Sequence, residues 1–385
     1  MPVETAPQYG LTREQLDFLE VIRQMVVEKV TPRAAEIDAT GEFPQDIREL
    51  FADHDIFGLP FEEEYGGTGT GEIMLVAAIE EIAKGCASSS LMLAVQDLAS
   101  LPIKLFGTDE LKDRMLPKMA SGEWLGAFAL SEPEAGSDPG AMRTRAVKTE
   151  GGWILNGAKN WISNSGVADM YSTFAVTDPD VKYSRGITAF AVEADSEGFS
   201  IDALEHKMGM KGSPTGQPLY EDVFVPDENV IGEANKGFIV AMQTLDRSRL
   251  GVGAQALGIA QGATDYAADY AKERIAFGKP INQLQGIQFK LADMETKTAA
   301  ARELLYRAAA MAQSSHPALG KYSAMAKLFA SDVAMEVTVE AVQVLGGYGY
   351  VKEYPVERMM RDAKLTQIYE GTNEIQRVVI ARSLA

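Results

Sequence analysis

The sequence predicts an α+β protein with a helical N-terminal unit, a middle antiparallel β-barrel or sandwich, and a C-terminal four-helix bundle. The length of 385 residues exceeds the ~150 of one ordinary domain. Apolar residues recur at helical spacing in both ends of the chain, and short β-branched or aromatic runs fill the middle. We place the units at residues 1–122, 123–233 and 234–385.

The first unit is predicted to be helical throughout. Thr12 and Gln15 have the spacing of a capping box, which marks a helix start. An apolar stripe follows at helical spacing, formed by Leu16, Leu19, Ile22, Val26 and Val30. Helical spacing also occurs in segments 47–54, 72–84 and 90–106, the last interrupted near Pro102. The glycine-rich run 66–71 lacks the strand and lysine of a phosphate loop and is interpreted as a plain loop.

The middle unit is predicted to consist of short strands. Candidate strands span 125–130, 153–155, 171–176 and 187–192, and Asn156-Gly157 predicts a hairpin turn. From Gly237 the chain returns to long alanine- and methionine-rich stretches. These stretches predict a bundle of four or five helices.

Composition and charge exclude several functional classes. Lysine and arginine total 36 against 55 acidic residues, a net charge of −19, which disfavours nucleic acid and anionic membranes as partners. No apolar run approaches the ~18 residues of a membrane helix, so we expect no membrane insertion. The acidic start lacks the pattern of a signal peptide, which predicts a cytoplasmic protein. The single cysteine, Cys86, excludes an intrachain disulfide, and three scattered histidines predict neither a metal site nor a histidine triad.

Two segments near the predicted strands carry residue types suited to a planar cofactor. The segment 128–138 runs from a strand into a loop with hydroxyls and small residues, which could present backbone donors to a polar-edged ligand. The segment 161–163, Trp-Ile-Ser, could wall an aromatic cofactor. An ordinary turn and ordinary core packing are the respective alternatives.

Two further segments lie at predicted helix ends. Arg274 and Phe277 place a guanidinium fork and an aromatic ring where they could bind a pyrophosphate. The segment 343–347 ends in paired glycines that would let the backbone approach a phosphate closely. A capping arginine and a glycine C-cap are the alternatives.

The segment 368–377 is the most informative. Glu370 stands between Tyr369 and Gly371, before a helix that Thr372 or Asn373 could cap. A carboxylate beside aromatic neighbours can have its pKa raised by desolvation and so act as a general base near neutral pH. The alternative is a carboxylate that only caps the helix.

Taken together, these segments resemble the acyl-CoA dehydrogenase family in order and spacing over nearly the whole chain. The similarity is greatest to the short-chain, butyryl-CoA type, which the segment 246–260 resembles in amino-acid sequence as well as in position. The resemblance implies the acyl-CoA dehydrogenase fold and a flavoprotein oxidoreductase of fatty acid β-oxidation that binds FAD. It also implies a homo-oligomer, most simply a homotetramer.

The resemblance assigns site residues by position. Glu370 matches the catalytic base. The residues matched to the flavin ring are Phe128, Ala129, Leu130, Ser131, Trp161, Ile162 and Ser163. The residues matched to the adenine-pyrophosphate half, reached across a subunit boundary, are Arg274, Phe277, Gln285, Gln343, Val344, Leu345, Gly346 and Gly347. Further FAD contacts match Thr372, Asn373 and Glu374. The residues matched to acyl-CoA contacts are Ser137, Ser184, Arg185, Asp246, Arg249 and Gly371.

The implied reaction is α,β-dehydrogenation of a short- to medium-chain acyl-CoA to a trans-2-enoyl-CoA. Glu370 takes the α-proton, a hydride passes to flavin N5, and an electron-transfer flavoprotein accepts the electrons. The sequence has Ser163 where a threonine is common, which keeps the hydroxyl. It has Ser248 where some members carry a glutamate, which leaves Glu370 as the only matched base and disfavours the isovaleryl and long-chain types.

Three alternatives stay open at this point. An acyl-CoA oxidase shares the architecture but is typically a longer chain. A non-catalytic FAD- or CoA-binding subunit would have no need for Glu370. Arg249 has an alternative role as a surface ion-pair partner of Asp246, three residues earlier.

Overall fold

The computed structural model describes residues 9–181 and 183–384. Helices come first along the chain: α1 (Arg13–Met25), α2 (Ala34–Thr40), α3 (Gln45–Asp53), α4 (Glu72–Gly85), α5 (Ala87–Phe106) and α6 (Asp109–Ala120). The predicted capping box is confirmed, because Thr12 Oγ1 accepts from the Gln15 N–H at 3.2 Å and the Gln15 side chain accepts from the Thr12 N–H at 2.9 Å. Helix α5 continues through Pro102 where an interruption was predicted, since the buried residues on both sides hold the helix in the core.

The middle of the chain forms one nine-stranded sheet within the described residues. Its strands are β1 (Gly126–Ala129), β2 (Arg145–Thr149), β3 (Gly152–Ala158), β4 (Ile162–Ser163), β5 (Met170–Val176), β6 (Ile187–Glu193), β7 (Phe199–Leu204), β8 (Thr215–Pro226) and β9 (Val230–Ile231). The order is β4-β8-β3-β2-β5-β6-β9, with β1 beside β5 and β7 beside β8. β1 and β2 run parallel to β5 and the other pairs are antiparallel, so the sheet is mixed.

The hairpin prediction at Asn156-Gly157 is wrong. The chain turns at Glu150 and Gly151, and Asn156-Gly157 lies inside β3, where the register shifts as in a β-bulge. The Asn156 amide exchanges hydrogen bonds with the side chain and N–H of Asp222 on β8. This cross-strand pairing outweighs the local turn preference of the dipeptide.

The last part of the chain is helical except for a small hairpin. Its elements are α7 (Gly237–Glu273), β10 (Ile275–Ala276), β11 (Lys279–Pro280), α8 (Gln285–Gln313), α9 (Leu319–Leu345), α10 (Val356–Thr366) and α11 (Asn373–Arg382). Helices α7 to α10 pack together and α11 lies on α9, which confirms the predicted bundle. One apolar core joins α4 and α5 to this bundle, so both helical regions enclose the same interior. None of the described helices is long and apolar enough to cross a membrane.

Candidate active site

The turn between α10 and α11 presents the carboxylate of Glu370. Glu370 has a left-handed backbone (φ +52°), which is uncommon for a residue other than glycine and costs of order 1–3 kcal/mol. Its Oε2 accepts a hydrogen bond of 2.6 Å from Ser248 Oγ on α7. Burial raises the pKa of Glu370 to about 7, although the Ser248 bond, Lys327 and Arg249 act in the opposite direction.

Two buried side chains hold this turn from behind. Gln376 Nε2 donates to the Gly371 carbonyl at 2.8 Å and to the Glu370 carbonyl at 3.3 Å. Lys327 on α9 donates to the same Gly371 carbonyl at 2.9 Å and to Asn373 Oδ1 at 3.0 Å. The strained backbone of the base is therefore fixed by several hydrogen bonds.

A buried polar group lies two helical turns beyond the base. Gln255 follows Ser248 by seven residues on α7, so both lie on one helix face. Gln255 Nε2 donates to the Ala87 carbonyl at 2.9 Å and to Ser90 Oγ at 3.0 Å, and its Oε1 accepts from the Tyr369 hydroxyl. These bonds tie α7, α5 and the base-bearing turn together at one level.

The sheet contributes a second wall through the segments predicted to hold a flavin ring. Phe128 and Ala129 lie on β1, and Ile162 and Ser163 form β4, where Ser163 pairs with Thr215 of β8. The indole of Trp161 is 60% exposed, and its backbone is left-handed (φ +62°). Trp161 is therefore not packed in the core, which was the alternative to a ligand contact.

A buried ion pair joins these two segments. Lys159 Nζ, fully buried, donates to the Leu130 carbonyl at 3.2 Å and to Glu132 Oε1 at 2.8 Å. The adjacent Asn160 N–H donates to the Ser131 carbonyl at 2.9 Å. The segments 128–131 and 161–163, distant in sequence, thus form one rigid surface.

This surface fits a planar group with polar edges. Ser163, two residues after the exposed Trp161, pairs with Thr215 of β8, so two hydroxyl-bearing residues lie side by side at this edge of the sheet. Ser213, two residues before Thr215, has a buried Oγ without a hydrogen-bond partner among the described residues. An exposed aromatic ring and an unpartnered buried hydroxyl are features that suit a planar ligand with polar edges.

A second group of sequence-predicted residues lies at the other end of α7. The Arg274 guanidinium is 5.4 Å from the ring centre of Tyr348, which brings the hairpin of Phe277 beside the turn after α9. Phe277 is 91% exposed and has a left-handed backbone (φ +53°). Gln285, Gln343, Gly346 and Gly347 are also exposed, whereas Val344 and Leu345 are buried in the core.

The two groups are far apart in one chain. Arg274, directly after the end of α7, lies 26 positions beyond Ser248, which at 1.5 Å for each step is about 39 Å. The residues predicted to bind the adenine half therefore do not belong to the same site as Glu370 of the same chain.

The candidate substrate contacts lie on α7 and on the sheet. Arg249 is only 4% exposed, donates to Asp246 Oδ1 at 2.6 Å, and has no partner for its Nε among the described residues. Ser137 and Arg185 are both exposed. The short turn 139–141, which follows Ser137, packs against the turn 183–186, which contains Arg185. The turn 183–186 also packs against α7. The side chain of Ser184 lies outside the described residues.

The residues after the base have mixed surroundings. Thr372 Oγ1 accepts from the Ile375 N–H at 3.4 Å and caps α11, as the sequence predicts. The Asn373 side chain is buried and bonded to Lys327, Ser331 and Asp332, so its polar atoms face protein. Glu374 is exposed.

Sequence reasoning did not identify four residues of this site: Lys159, Gln255, Lys327 and Gln376. Lys327 carried a usable signal, since a lysine between Ala324, Ala326 and Ala330 interrupts an apolar helix face. The other three stand in ordinary local sequence, and only the fold gives them partners. The described residues contain no cluster of three or more histidine, cysteine or acidic side chains that could hold a metal.

Comparison with known protein families gives a match over nearly the whole chain. The family model described as acyl-CoA dehydrogenase, N-terminal domain, matches residues 12–123. The middle-domain model matches 127–223, and the C-terminal-domain model matches 235–385.

Individual relatives are similar over the same length. The short-chain specific acyl-CoA dehydrogenase of Clostridium acetobutylicum is 45% identical over 374 residues, which cover 97% of this chain and 98% of that protein. The butyryl-CoA dehydrogenase structure from Megasphaera elsdenii has a TM-score of 0.94 at 46% identity, covering 97% of this chain and 98% of that one. A chain in the structure described as the electron transferring flavoprotein of Acidaminococcus fermentans has a TM-score of 0.95 at 43% identity, with 97% and 98% coverage.

Proposed function

The chain belongs to the acyl-CoA dehydrogenase family of oxidoreductases, and we propose that it converts a short-chain acyl-CoA to the trans-2-enoyl-CoA with Glu370 as base and FAD as cofactor. The observation that carries this proposal is the environment of Glu370. Its carboxylate is partly buried, held by Ser248, and has a pKa of about 7.

This environment suits removal of a weakly acidic proton. The α-hydrogen of a thioester leaves only when a base accepts it and the developing enolate oxygen is stabilised. A base with a pKa near the working pH is ionised often enough and still binds a proton strongly. The Glu370 N–H donates no hydrogen bond to any described residue, so it is free to donate to the thioester oxygen.

The hydrogen-bonded side chains around Gln255 favour a substrate with a short acyl chain. The acyl group would extend from Glu370 along the face of α7 that carries Ser248 and Gln255, where the missing side chain of Gly251 leaves space for about one methyl group, 3.5 Å from Ala94. Further along, Gln255 and its bond to Tyr369 close this space with buried, satisfied polar atoms. A longer apolar chain would have to break those hydrogen bonds, at ~1–3 kcal/mol for each group left unsatisfied.

Trp161, Ser131 and Ser163 would hold the isoalloxazine of FAD against the sheet. The chemistry that bound flavin supplies is acceptance of a hydride from the β-carbon. The wall fixes the angle of approach, since Lys159 and Glu132 prevent the two segments from separating. Arg185 and Arg249 would bind the CoA portion, the cationic groups that an anionic ligand needs on a chain of net charge −19.

We infer a homo-oligomer, with a homotetramer as the expected form. Arg274 lies about 39 Å along α7 from Ser248, too far to serve the same chain's flavin ring and base. The exposed aromatic side chains of Phe277 and Tyr350, 91% and 83% exposed, provide apolar surface for a partner at that end. The electron acceptor proposed is an electron-transfer flavoprotein, in line with the name of the similar structure from Acidaminococcus fermentans.

The test is anaerobic reduction of the purified flavoprotein by butyryl-, hexanoyl- and octanoyl-CoA. We expect loss of flavin absorbance, fastest with butyryl-CoA. Glu370→Gln should keep the flavin and lower the rate by at least ~10²–10⁴-fold, as for a lost general base. Glu353→Gln, which neutralises an exposed carboxylate before the start of α10 and away from Glu370, is the control for a general effect of charge removal.

Three results would contradict the proposal. Absence of flavin reduction by every acyl-CoA would indicate a non-catalytic subunit. Rapid oxygen consumption in air, without need for an acceptor dye, would indicate an oxidase. Equal rates for all chain lengths in wild type, unchanged in Gln255→Ala, would remove Gln255 as the limit on chain length.

A further inference from the structure

Lys327 is fully buried, and its amine has no carboxylate as hydrogen-bond partner among the described residues. It lies on α9 in an alanine-rich stretch and is 0% exposed. Its Nζ donates to two neutral oxygens, the Gly371 carbonyl at 2.9 Å and Asn373 Oδ1 at 3.0 Å. Burying an ammonium is costly unless a nearby charge compensates it.

We propose that Lys327 is a positioning residue for the reaction, whose charge keeps the Glu370 carboxylate ionised while its hydrogen bonds fix the turn that presents it. The inference rests on the proposed function, because it assigns a role in the same proton transfer. The inference goes beyond the proposed function because it makes the reactivity of Glu370 depend on α9, a helix that carries no other proposed reacting group.

Hydrogen bonding alone does not account for a lysine here. Neutral side chains already hold the same atoms: Gln376 donates to the Gly371 carbonyl at 2.8 Å, and Ser331, one turn along α9, exchanges hydrogen bonds with Asn373. What Lys327 adds to these contacts is a positive charge.

The charges around the pair favour this role. The charged groups that act on the pKa of Glu370 are Lys327 from α9, Arg249 from α7 and Asp97 from α5, in addition to the Ser248 hydroxyl that donates to it. The groups that face Lys327 are Glu370, Arg249, Asp332 and Glu374. Burial lowers the pKa of Lys327 to about 7, and Glu370 opposes that shift. Each charge therefore stabilises the other in the pH range where the enzyme would work.

The experiment is the pH dependence of single-turnover flavin reduction by butyryl-CoA. In wild type the rate should rise through the pKa of Glu370. Lys327→Gln keeps a donor in nearly the same place and removes the charge, so the acid limb should move up by about one pH unit. At a pH below the limb this is a tenfold loss, which disappears at high pH.

Two companion variants separate charge from packing. Lys327→Met should move the limb in the same direction and also lower the high-pH plateau, because the Gly371 carbonyl loses a donor. Ser331→Ala removes an uncharged contact to the same Asn373 from the same helix, so its limb should stay at the wild-type position.

The outcomes distinguish this inference from the proposed function. If wild type is not reduced by butyryl-CoA, the function itself is wrong. If wild type is reduced but Lys327→Gln and Lys327→Met lower the plateau with an unmoved limb, Lys327 is only a packing residue and the inference is overturned. A limb that moves equally in Ser331→Ala would also overturn it, since loss of an uncharged contact would then suffice.

Discussion

Two lysines that bond segments of the candidate active site are fully buried, and their partners differ. Lys159, beneath the flavin wall, bonds the carboxylate of Glu132 at 2.8 Å. Lys327, behind the base, bonds two neutral oxygens and no carboxylate among the described residues, while the Glu370 carboxylate is bonded to Ser248. We call the Lys159–Glu132 pair closed, because a hydrogen bond joins its two charged groups. We call the Lys327–Glu370 pair open, because each of its two groups is bonded to neutral partners instead.

The pKa values of the two carboxylates, Glu132 and Glu370, are shifted in opposite directions. Burial acts to raise the pKa of Glu132, but Lys159 and the N–H groups of Arg143 and Thr144 overcome it, so the pKa lies below its usual value. For Glu370 burial prevails and the pKa is about 7. A carboxylate bonded at every oxygen supports structure, whereas one left partly uncompensated can take a proton.

The largest effect is expected at the closed pair. Lys159→Met leaves the Glu132 carboxylate buried without its cation, which should lower the free energy of unfolding by ~3–5 kcal/mol and release the flavin. Lys148→Met, which breaks the half-exposed pair with Asp227 in the same sheet, should cost only ~0–1 kcal/mol. Urea unfolding of the flavin-loaded variants measures both.

The double variant Lys159→Met, Glu132→Gln should recover much of that loss, because it removes both charges together. Similarly small losses of folding free energy for Lys159→Met and Lys148→Met would contradict this comparison. The Lys159–Glu132 pair would then not be the closed counterpart of the Lys327–Glu370 pair.

The next largest effect is a gain in stability. Burial raises the pKa of Glu370 in the folded state to about 7, against 4.5 for an exposed glutamate, so the folded state holds its proton more tightly and stability is lost as pH rises between those values. Glu370→Gln resembles the protonated form at every pH. We expect it to raise the free energy of unfolding by about 3 kcal/mol at pH 8 and by nothing at pH 4, at 1.36 kcal/mol per pKa unit.

Urea unfolding of wild type and Glu370→Gln at both pH values measures this gain. An equal or lower stability of the variant at pH 8 would mean that the Glu370 carboxylate is compensated, as that of Glu132 is. The Lys327–Glu370 pair would then be closed in the same sense as the Lys159–Glu132 pair.

The sequence was sufficient where the determining contacts are local or the motif is complete. The capping box of Thr12 and Gln15 and the cap at Thr372 each depend on neighbours three residues away. Glu370 was predicted to be the base because its segment matches a family motif, and that role stays a prediction. The fold class followed from hydrophobic spacing, which a few changed residues do not alter.

Long-range partners could not be predicted in the same way. Glu132 and Lys159 stand 27 residues apart, and Lys327 and Gly371 stand 44 apart, so no local pattern pairs them. The Asn156-Gly157 prediction failed for the same reason, since Asp222 is 66 residues away. Ordinary charged residues in helices and strands acquire these roles only through the fold.

The smallest of the three effects concerns Arg249, the second cation that faces Glu370. The Asp246 pair of the alternative interpretation is present at 2.6 Å, but the guanidinium is 4% exposed and its Nε has no partner among the described residues. A solvated helix pair would be worth only ~0.2–0.5 kcal/mol and would not require such burial. The unused donor favours a role toward an anionic or carbonyl ligand.

We therefore expect Arg249→Ala to weaken binding of a non-reactive acyl-CoA analogue while the oxidised flavin spectrum is unchanged. Loss of a charge-assisted hydrogen bond costs ~1.5–3 kcal/mol, or about 10- to 150-fold in affinity. Lys272→Ala is the matched control, since Lys272 and Asp269 form an exposed pair of the same spacing on α7. If Arg249→Ala instead shifts the pH limb as far as Lys327→Gln and leaves affinity unchanged, both cations serve the base, and the open site contains two positioning charges rather than one.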